Sequence, residues 1–195
     1  MRDPGNILQI AALHPDYMGF IFYNGSPRFV GNYFSIPEEF PVEVKRVGVF
    51  VNESIEEILR FAKIHRLDFI QMHGSESAEY CRAVQQQDIG VIKTFSIHDG
   101  FDFDQLAAYK SVVDYFLFDT KGKFLGGNGV AFDWNVLRRY DQEVPFFLSG
   151  GISPDHARQF SSLEGLNVHA LDVNSGVEES VGNKDAALVK KMKEF

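Results

Sequence analysis

Apolar residues along this chain gather in seven short runs, at 17–22 (YMGFIF), 46–51 (RVGVFV), 68–72 (DFIQM), 91–95 (VIKTF), 115–118 (YFLF), 145–148 (PFFL) and 168–173 (VHALDV). Each is nearly continuous in apolar character, as expected of parallel strands covered on both faces. Between them the period lengthens. Residues 54–65 (SIEEILRFAKIH) place Ile55, Ile58, Leu59 and Ala62 on one helical face, with Ser54 as N-cap and Glu57 as its capping-box partner. Segments 76–86, 102–110, 133–140, 154–161 and 183–194 also carry the helical period. After the first run, Pro37 and Pro41 leave room for a short helix at most. Strand followed by helix, repeated throughout, predicts an α/β fold on a parallel sheet.

The alternation begins on a helix, because residues 4–13 have Asp3 as N-cap and Pro4 at the first helical position. Seven strands and eight helical or near-helical connections result, the first connection without its strand. Eight strands close a (β/α)8 or TIM barrel. The expectation is therefore a single domain over residues 1–195, a TIM barrel missing its first strand with seven strands present. An open doubly wound sheet would carry a glycine-rich turn after its first strand. The dense glycine cluster Gly126-Gly127-Asn128-Gly129 instead precedes a late helix, and G-x-G-x-x-G read from Gly127 ends on Phe132. That pattern disfavours a dinucleotide.

Composition narrows the partners. The 195 residues carry 27 acidic and 19 basic side chains, net −8, with 45% apolar residues, enough for one core without a disulfide or metal staple. One cysteine makes no internal bridge and gives no sign of an oxidising compartment. No run of about 18 apolar residues occurs, and MRDPGN does not resemble a signal segment, so the expected location is cytoplasmic and no membrane partner is expected. The acidic balance argues against nucleic acid, whose phosphates need clustered Lys and Arg. The expected partner is a small molecule. The six histidines show no zinc-like spacing with Cys or acids, so no metal site is expected.

The clearest chemical signal is LSGGISP at 148–154, a buried strand ending in two glycines before a capped helix, a backbone that can receive an anion. DVNSGV at 172–177 supplies a second small-residue turn after the last strand. Barrels often build a phosphate site from the loops after their last two strands, which singles out Gly150, Gly151, Ser175 and Gly176. Asp119 ends the YFLF run where barrel enzymes place catalytic groups; flanked by Phe116 and Phe118, it is a candidate general acid, or else a loop cap. Asp172 stands equivalently on the last strand. Arg28 follows the first strand and can hold a carboxylate in a bidentate pair, although a loop arginine is often only solvated. Cys81 falls in a helix and reads as a small core residue. His73 ends a strand before Gly74, to line the rim or cap the turn.

Taken together, RVGVFVN at 46–52, QMHG at 71–74, FDTK at 118–121, GGNG at 126–129 with FDW at 132–134, SGG at 149–151 and DVNSGVE at 172–178 resemble phosphoribosylanthranilate isomerase of tryptophan biosynthesis, in order and over the whole chain. The resemblance implies an Amadori rearrangement of N-(5-phosphoribosyl)anthranilate to the carboxyphenylamino-deoxyribulose phosphate, without cofactor or metal, by a monomer or homodimer. It implies that Asp119 is the general acid, that Arg28 and Asp172 lie near the anthranilate, and that Gly150, Gly151, Ser175 and Gly176 hold the phosphate.

Members of that family begin with a strand carrying Lys-x-Cys-Gly, whose Cys is the general base, whereas this chain opens at Met1-Arg2-Asp3. The base is expected just upstream of Met1, and the chain as it stands is expected to be poorly folded or inactive. Cys81 is on the wrong element to replace it. Asn24-Gly25 stands where the family commonly has Pro-Lys. The alternative is a non-catalytic phosphate-binding barrel or a pathway partner. A histidine-pathway isomerase is disfavoured, because the strand at 91–95 runs into Ser96 rather than Asp.

Overall fold

The computed structural model describes residues 1–120 and 133–195. Its main sheet contains β1 (Tyr17–Ile21), β2 (Lys45–Phe50), β3 (Phe69–Met72), β4 (Gly90–Ser96), β5 (Tyr115–Asp119), β6 (Phe146–Ser149) and β7 (Val168–Leu171). All neighbours are parallel and the spatial order is the chain order. The seven apolar runs are thus the seven strands, displaced by a residue or two at their ends. The helices α1 (Pro4–Ala11), α2 (Ile55–His65) and α3 (Ala78–Gln85) start on the side chains of Asp3, Ser54 and Ser77, which accept from Asn6, Glu57 and Tyr80 N–H groups. Among the described residues, no helix is long and apolar enough to cross a membrane.

Three expectations about the helices are corrected. The capping box at Ser54 is half formed, because Glu57 turns its carboxylate to Arg60 (2.7 Å) and Glu53 takes the Ser54 N–H instead. Three segments expected to be helical, Phe103–Ala108, Trp134–Arg139 and Pro154–Leu163, wind as tighter 3-10 turns. Asp102 and Asp133 accept from the N–H only two residues on, and Ser161 and Ser162 donate back to carbonyls three residues before, so side chains compete for the helical partners. The helix expected over 183–194 starts late, as α4 (Ala186–Met192) capped by Asp185. Asn183–Lys184 (β9) pairs antiparallel with Glu178–Ser180 (β8) across Gly182, and the Asn6 amide holds both the N–H and the carbonyl of Lys184 at 2.8 Å.

Alternation along each strand divides the side chains between two cores. Phe20, Phe50, Ile70, Val91, Phe116, Phe118 and Phe146 pack outward into the helical layer. Val47, Ile92, Leu117 and Phe147 point inward, with Tyr17, Phe69, Tyr115 and Ala170 against them. The Tyr17 ring lies 4.9 Å from Phe147 and 5.6 Å from both Phe69 and His169. In a flat sheet β1 and β6 would stand about 24 Å apart, so these contacts require the sheet to curl until its outer strands face each other. The hydroxyl of Tyr17 meets Nε2 of His169 at 2.7 Å between the two end strands of the sheet, and on the outer side of β1 the Ile21 carbonyl accepts from the Val30 N–H at 3.0 Å and the Gly19 carbonyl from the Met1 ammonium at 3.3 Å.

Beneath the rim, Lys93 and Glu76 form an ion pair at 3.1 Å with each side chain 2% exposed. Lys93 also donates to the Gly74 carbonyl, and Glu76 accepts from the N–H groups of Asn52 and Gly74, so one buried pair fixes the loops after β2 and β3. Lys93→Met strands the Glu76 carboxylate without its counter-ion and is expected to destabilise the protein by about 3–5 kcal/mol. Urea unfolding measures this, and a loss below about 1 kcal/mol contradicts the clamp.

Candidate active site

The inward-facing line of each strand continues past its end onto the rim. Gln71 and His73 follow Phe69, Asp119 follows Tyr115 and Leu117, and Asp172 follows Ala170. Asp172 stands one residue beyond β7 rather than on it, held to β6 by its N–H on the Leu148 carbonyl at 2.8 Å. Phe116 and Phe118 do not flank the Asp119 carboxylate as the sequence neighbourhood suggests. They belong to the outer core, because adjacent residues of a strand point to opposite faces. What Asp119 approaches instead is His73 and Asp172, whose ionisation its charge affects.

Below this rim lies a cavity of about 480 Å³, lined by Gln71, His73, Asp172, Asn174 and Lys184 together with Gly19, Ile21, Val47 and Leu117. Burial holds His73 below the usual histidine range, the Asp119 charge opposing it. The neutral ring accepts at Nδ1 from the Gln71 amide, 3.1 Å away. Burial pushes the Asp172 carboxyl upward against the pull of Lys184, with the Asp119 charge adding to the rise.

Beside the acids, the loops after β6 and β7 abut. Gly150 and Gly151 have φ of +124° and +77°, which side-chain-bearing residues rarely adopt, and the space a Cβ of Gly151 would enter is empty. A Cβ on Gly176 would stand 2.1 Å from the Ile152 carbonyl oxygen, so the second loop approaches the first as closely as a backbone can. Ser175 is exposed beside them. The four residues expected to form one anion cradle are therefore brought together. The Gly126–Gly129 cluster lies outside the described residues. Among the described residues, no three His, Cys, Asp or Glu side chains gather to hold a metal ion.

Arg28 is not merely solvated. Its Nε and Nη2 donate to Glu178 at 2.9 and 2.6 Å, and Glu178 also accepts from Lys184 Nζ and the Gly182 N–H, each at 3.0 Å. Glu178 and Lys184 were not singled out by the sequence. Their partner Arg28 is 150 residues away from Glu178, so no local spacing betrays the pair. A hint existed in the need of a partly buried arginine for a counter-ion. Cys81 is fully buried in α3 with its sulfur 3.4 Å from that of Met72, a core residue as expected.

A sequence profile of N-(5'-phosphoribosyl)anthranilate (PRA) isomerase matches residues 2–194. The chain belongs to the phosphoribosylanthranilate isomerase family. It is 41% identical to the N-(5'-phosphoribosyl)anthranilate isomerase of Parabacteroides distasonis over all of this chain and 88% of that protein. It is 42% identical to that of Phocaeicola vulgatus over 97% of this chain and 91% of that one. The crystal structure of phosphoribosyl anthranilate isomerase from Thermotoga maritima superposes with a TM-score of 0.84 at 34% identity, covering 100% and 94% of the two chains. A crystal structure of phosphoribosyl anthranilate isomerase in complex with reduced 1-(o-carboxyphenylamino)-1-deoxyribulose 5-phosphate superposes at 0.80 with 32% identity, covering 98% and 92%. This places the isomerase among enzymes of tryptophan biosynthesis.

In the isomerase, Arg28, Lys184 and the Gly182 N–H together hold the Glu178 carboxyl down at about 2, against the cost of its burial. A carboxyl depressed on folding stabilises the native state above its unfolded value and loses that contribution as pH falls through the folded one. The depression from 4.5 is worth about 3 kcal/mol, fully present above about pH 5 and lost toward pH 2. Glu178→Gln is therefore expected to flatten the acid limb of a stability-against-pH curve between pH 5 and 2, which chemical denaturation at fixed pH values measures.

Proposed function

We propose that this isomerase carries out an Amadori rearrangement of N-(5'-phosphoribosyl)anthranilate at the rim where Asp119 approaches His73 and Asp172, the latter two lining the cavity. The observation that carries the reading is the meeting of two rim acids with two abutting glycine loops at one end of the barrel. Asp119, as general acid, donates its proton to the ribose ring oxygen, so that the ring opens to a Schiff base. A general base then takes the proton from the adjacent sugar carbon, and the electron pair moves into the C–N system to give the enol that tautomerises to the ketose. In the first step the nitrogen lone pair forms C=N as the C1–O bond breaks and the ring oxygen leaves as a hydroxyl; the second step and the tautomerisation shift protons, with no external oxidant or reductant. Arg28 holds the anthranilate carboxylate, Asp172 lies beside the same ring and its nitrogen, and the N–H groups at Gly150, Gly151, Ser175 and Gly176 take the phosphate.

The base is assigned to an eighth strand. β1 and β7 are the end strands of the sheet and are bridged by the Tyr17–His169 bond beside the cavity, and a parallel strand carrying Lys-x-Cys-Gly is placed between them, where Met1 and Phe29 now meet the outer side of β1. Cys81 does not serve, since it lies in the helical layer and burial pushes its thiol up to about 11. The binding partner is a small phosphorylated aromatic sugar, and the working unit is a monomer or homodimer of single barrel domains.

Titration and turnover test this together. The chain of residues 1–195 is expected to bind the reduced product saturably without isomerising substrate. Extending it before Met1 by an apolar strand with Lys-x-Cys-Gly is expected to bring turnover, and Asp119→Asn in the extended chain to cut it by about 10³ with affinity held within about threefold. Binding without turnover even after extension favours a phosphate-binding barrel, and absence of binding overturns the site.

A further inference from the structure

Arg28 has two edges on which a carboxylate can sit bidentate: Nε with Nη2, and Nη1 with Nη2. Glu178 occupies the first edge, through contacts of 2.9, 3.2 and 2.6 Å. The second edge is left without a partner at Nη1 among the described residues, and the side chain is 21% exposed, so a ligand can reach it. Glu178 itself is 6% exposed and takes three further constraints, from Lys184, the Gly182 N–H and the pairing of β8 with β9. Arg2 braces the same junction by donating to the carbonyls of Pro27 and Val181, one on each side. The arginine is thus aimed by a carboxylate that cannot itself move.

Charge favours the same role. Arg28 and Lys184 share the one Glu178 carboxylate at 2.6 and 3.0 Å, and Asp172 acts on the lysine, so the arginine is the cation of this group that a further carboxylate can meet. Removing Glu178 leaves two neighbouring cations to repel one another, and the longer, more exposed arginine is the one free to swing.

We infer that Glu178 is a positioning residue that aims the free edge of Arg28 at the carboxylate of an aromatic ligand and so sets the enzyme's preference for a carboxylated over an uncarboxylated ring. The inference rests on the proposed placement of the anthranilate carboxylate on Arg28 and names the group that makes that contact selective.

Calorimetric titration of the full chain with two probes tests it: reduced 1-(o-carboxyphenylamino)-1-deoxyribulose 5-phosphate, and the same compound with hydrogen in place of the carboxyl group. The wild type is expected to prefer the carboxylated probe by about tenfold or more, the range of a charge-assisted pair. Glu178→Gln is expected to bring that ratio near one while the affinity for the uncarboxylated probe stays within about twofold, and Arg28→Ala added to it is expected to lower the ratio no further. An unchanged ratio in Glu178→Gln, or equal weakening of both probes, overturns the positioning role, the latter marking a purely structural one. Should Glu178→Gln not fold, Glu178→Asp withdraws the same charge by one methylene and is expected to lower the ratio by about threefold or more, an unchanged ratio again overturning the role. A wild type that binds both probes equally overturns the placement of the carboxylate on Arg28 and this inference with it. A wild type that binds neither overturns the proposed site as a whole.

Discussion

A strand shows its neighbours alternate side chains, and in seven parallel strands curled into one wall that alternation decides what this molecule can do. The lower inward positions are filled by aromatic rings, with Tyr17 touching Phe69, Phe147 and His169 at 4.9–5.6 Å, and Tyr17, Phe147 and His169 form part of the cavity wall. Two or four residues further along the same strands, the same inward line reaches Gln71, His73, Asp119 and Asp172. The chemistry is therefore placed by register. A slip of one residue in β5 would bury Asp119 in the helical layer and turn Phe118 into the cavity.

Among the described residues, the buried ion pairs tie separate segments of the chain together. Lys93 and Glu76 hold the loops after β2 and β3, while Glu178 joins Arg28 to Lys184 across 150 residues of chain. Replacing a whole pair of this kind by apolar side chains costs little, because the charges lose hydration on burial, but removing one member strands the other, so each pair selects one arrangement of its partners. That trade suits a rim whose residues come from different strands and must meet at one ligand.

The order of elements was legible because strand and helix periods differ strongly and parallel strands carry unbroken apolar runs, so all seven were found from sequence. Cap residues Asp3 and Ser54 announced their helices for the same local reason. The details that escaped depend on competition between partners. Glu57 had a choice between the Ser54 N–H and Arg60, and the stronger charge-assisted contact won. Lys184 has helical neighbours but its backbone is held by the Asn6 amide, a partner 178 residues away, while Asn183 pairs with Ser180 in the hairpin. Asp119 and Asp172 can be placed at strand ends, and Arg28 in the loop after β1, because strands are visible in sequence, whereas the pairing of Glu178 with Arg28 spans 150 residues and leaves no local spacing to read. The neighbours of Asp119 were misjudged where adjacency along the chain was taken for adjacency in space.

The contact between Gly176 and the Ile152 carbonyl reaches beyond the cradle it helps to shape. Two loops from successive strands that touch backbone to backbone behave as one unit when the sequence changes. Lengthening either by a residue, or adding a methyl group at Gly176, displaces the other, so the pair can drift only by coordinated replacement. Laboratory evolution toward a bulkier phosphate or a different head group would therefore have to begin with paired changes in both loops, while the helical layer outside them remains free to vary one position at a time.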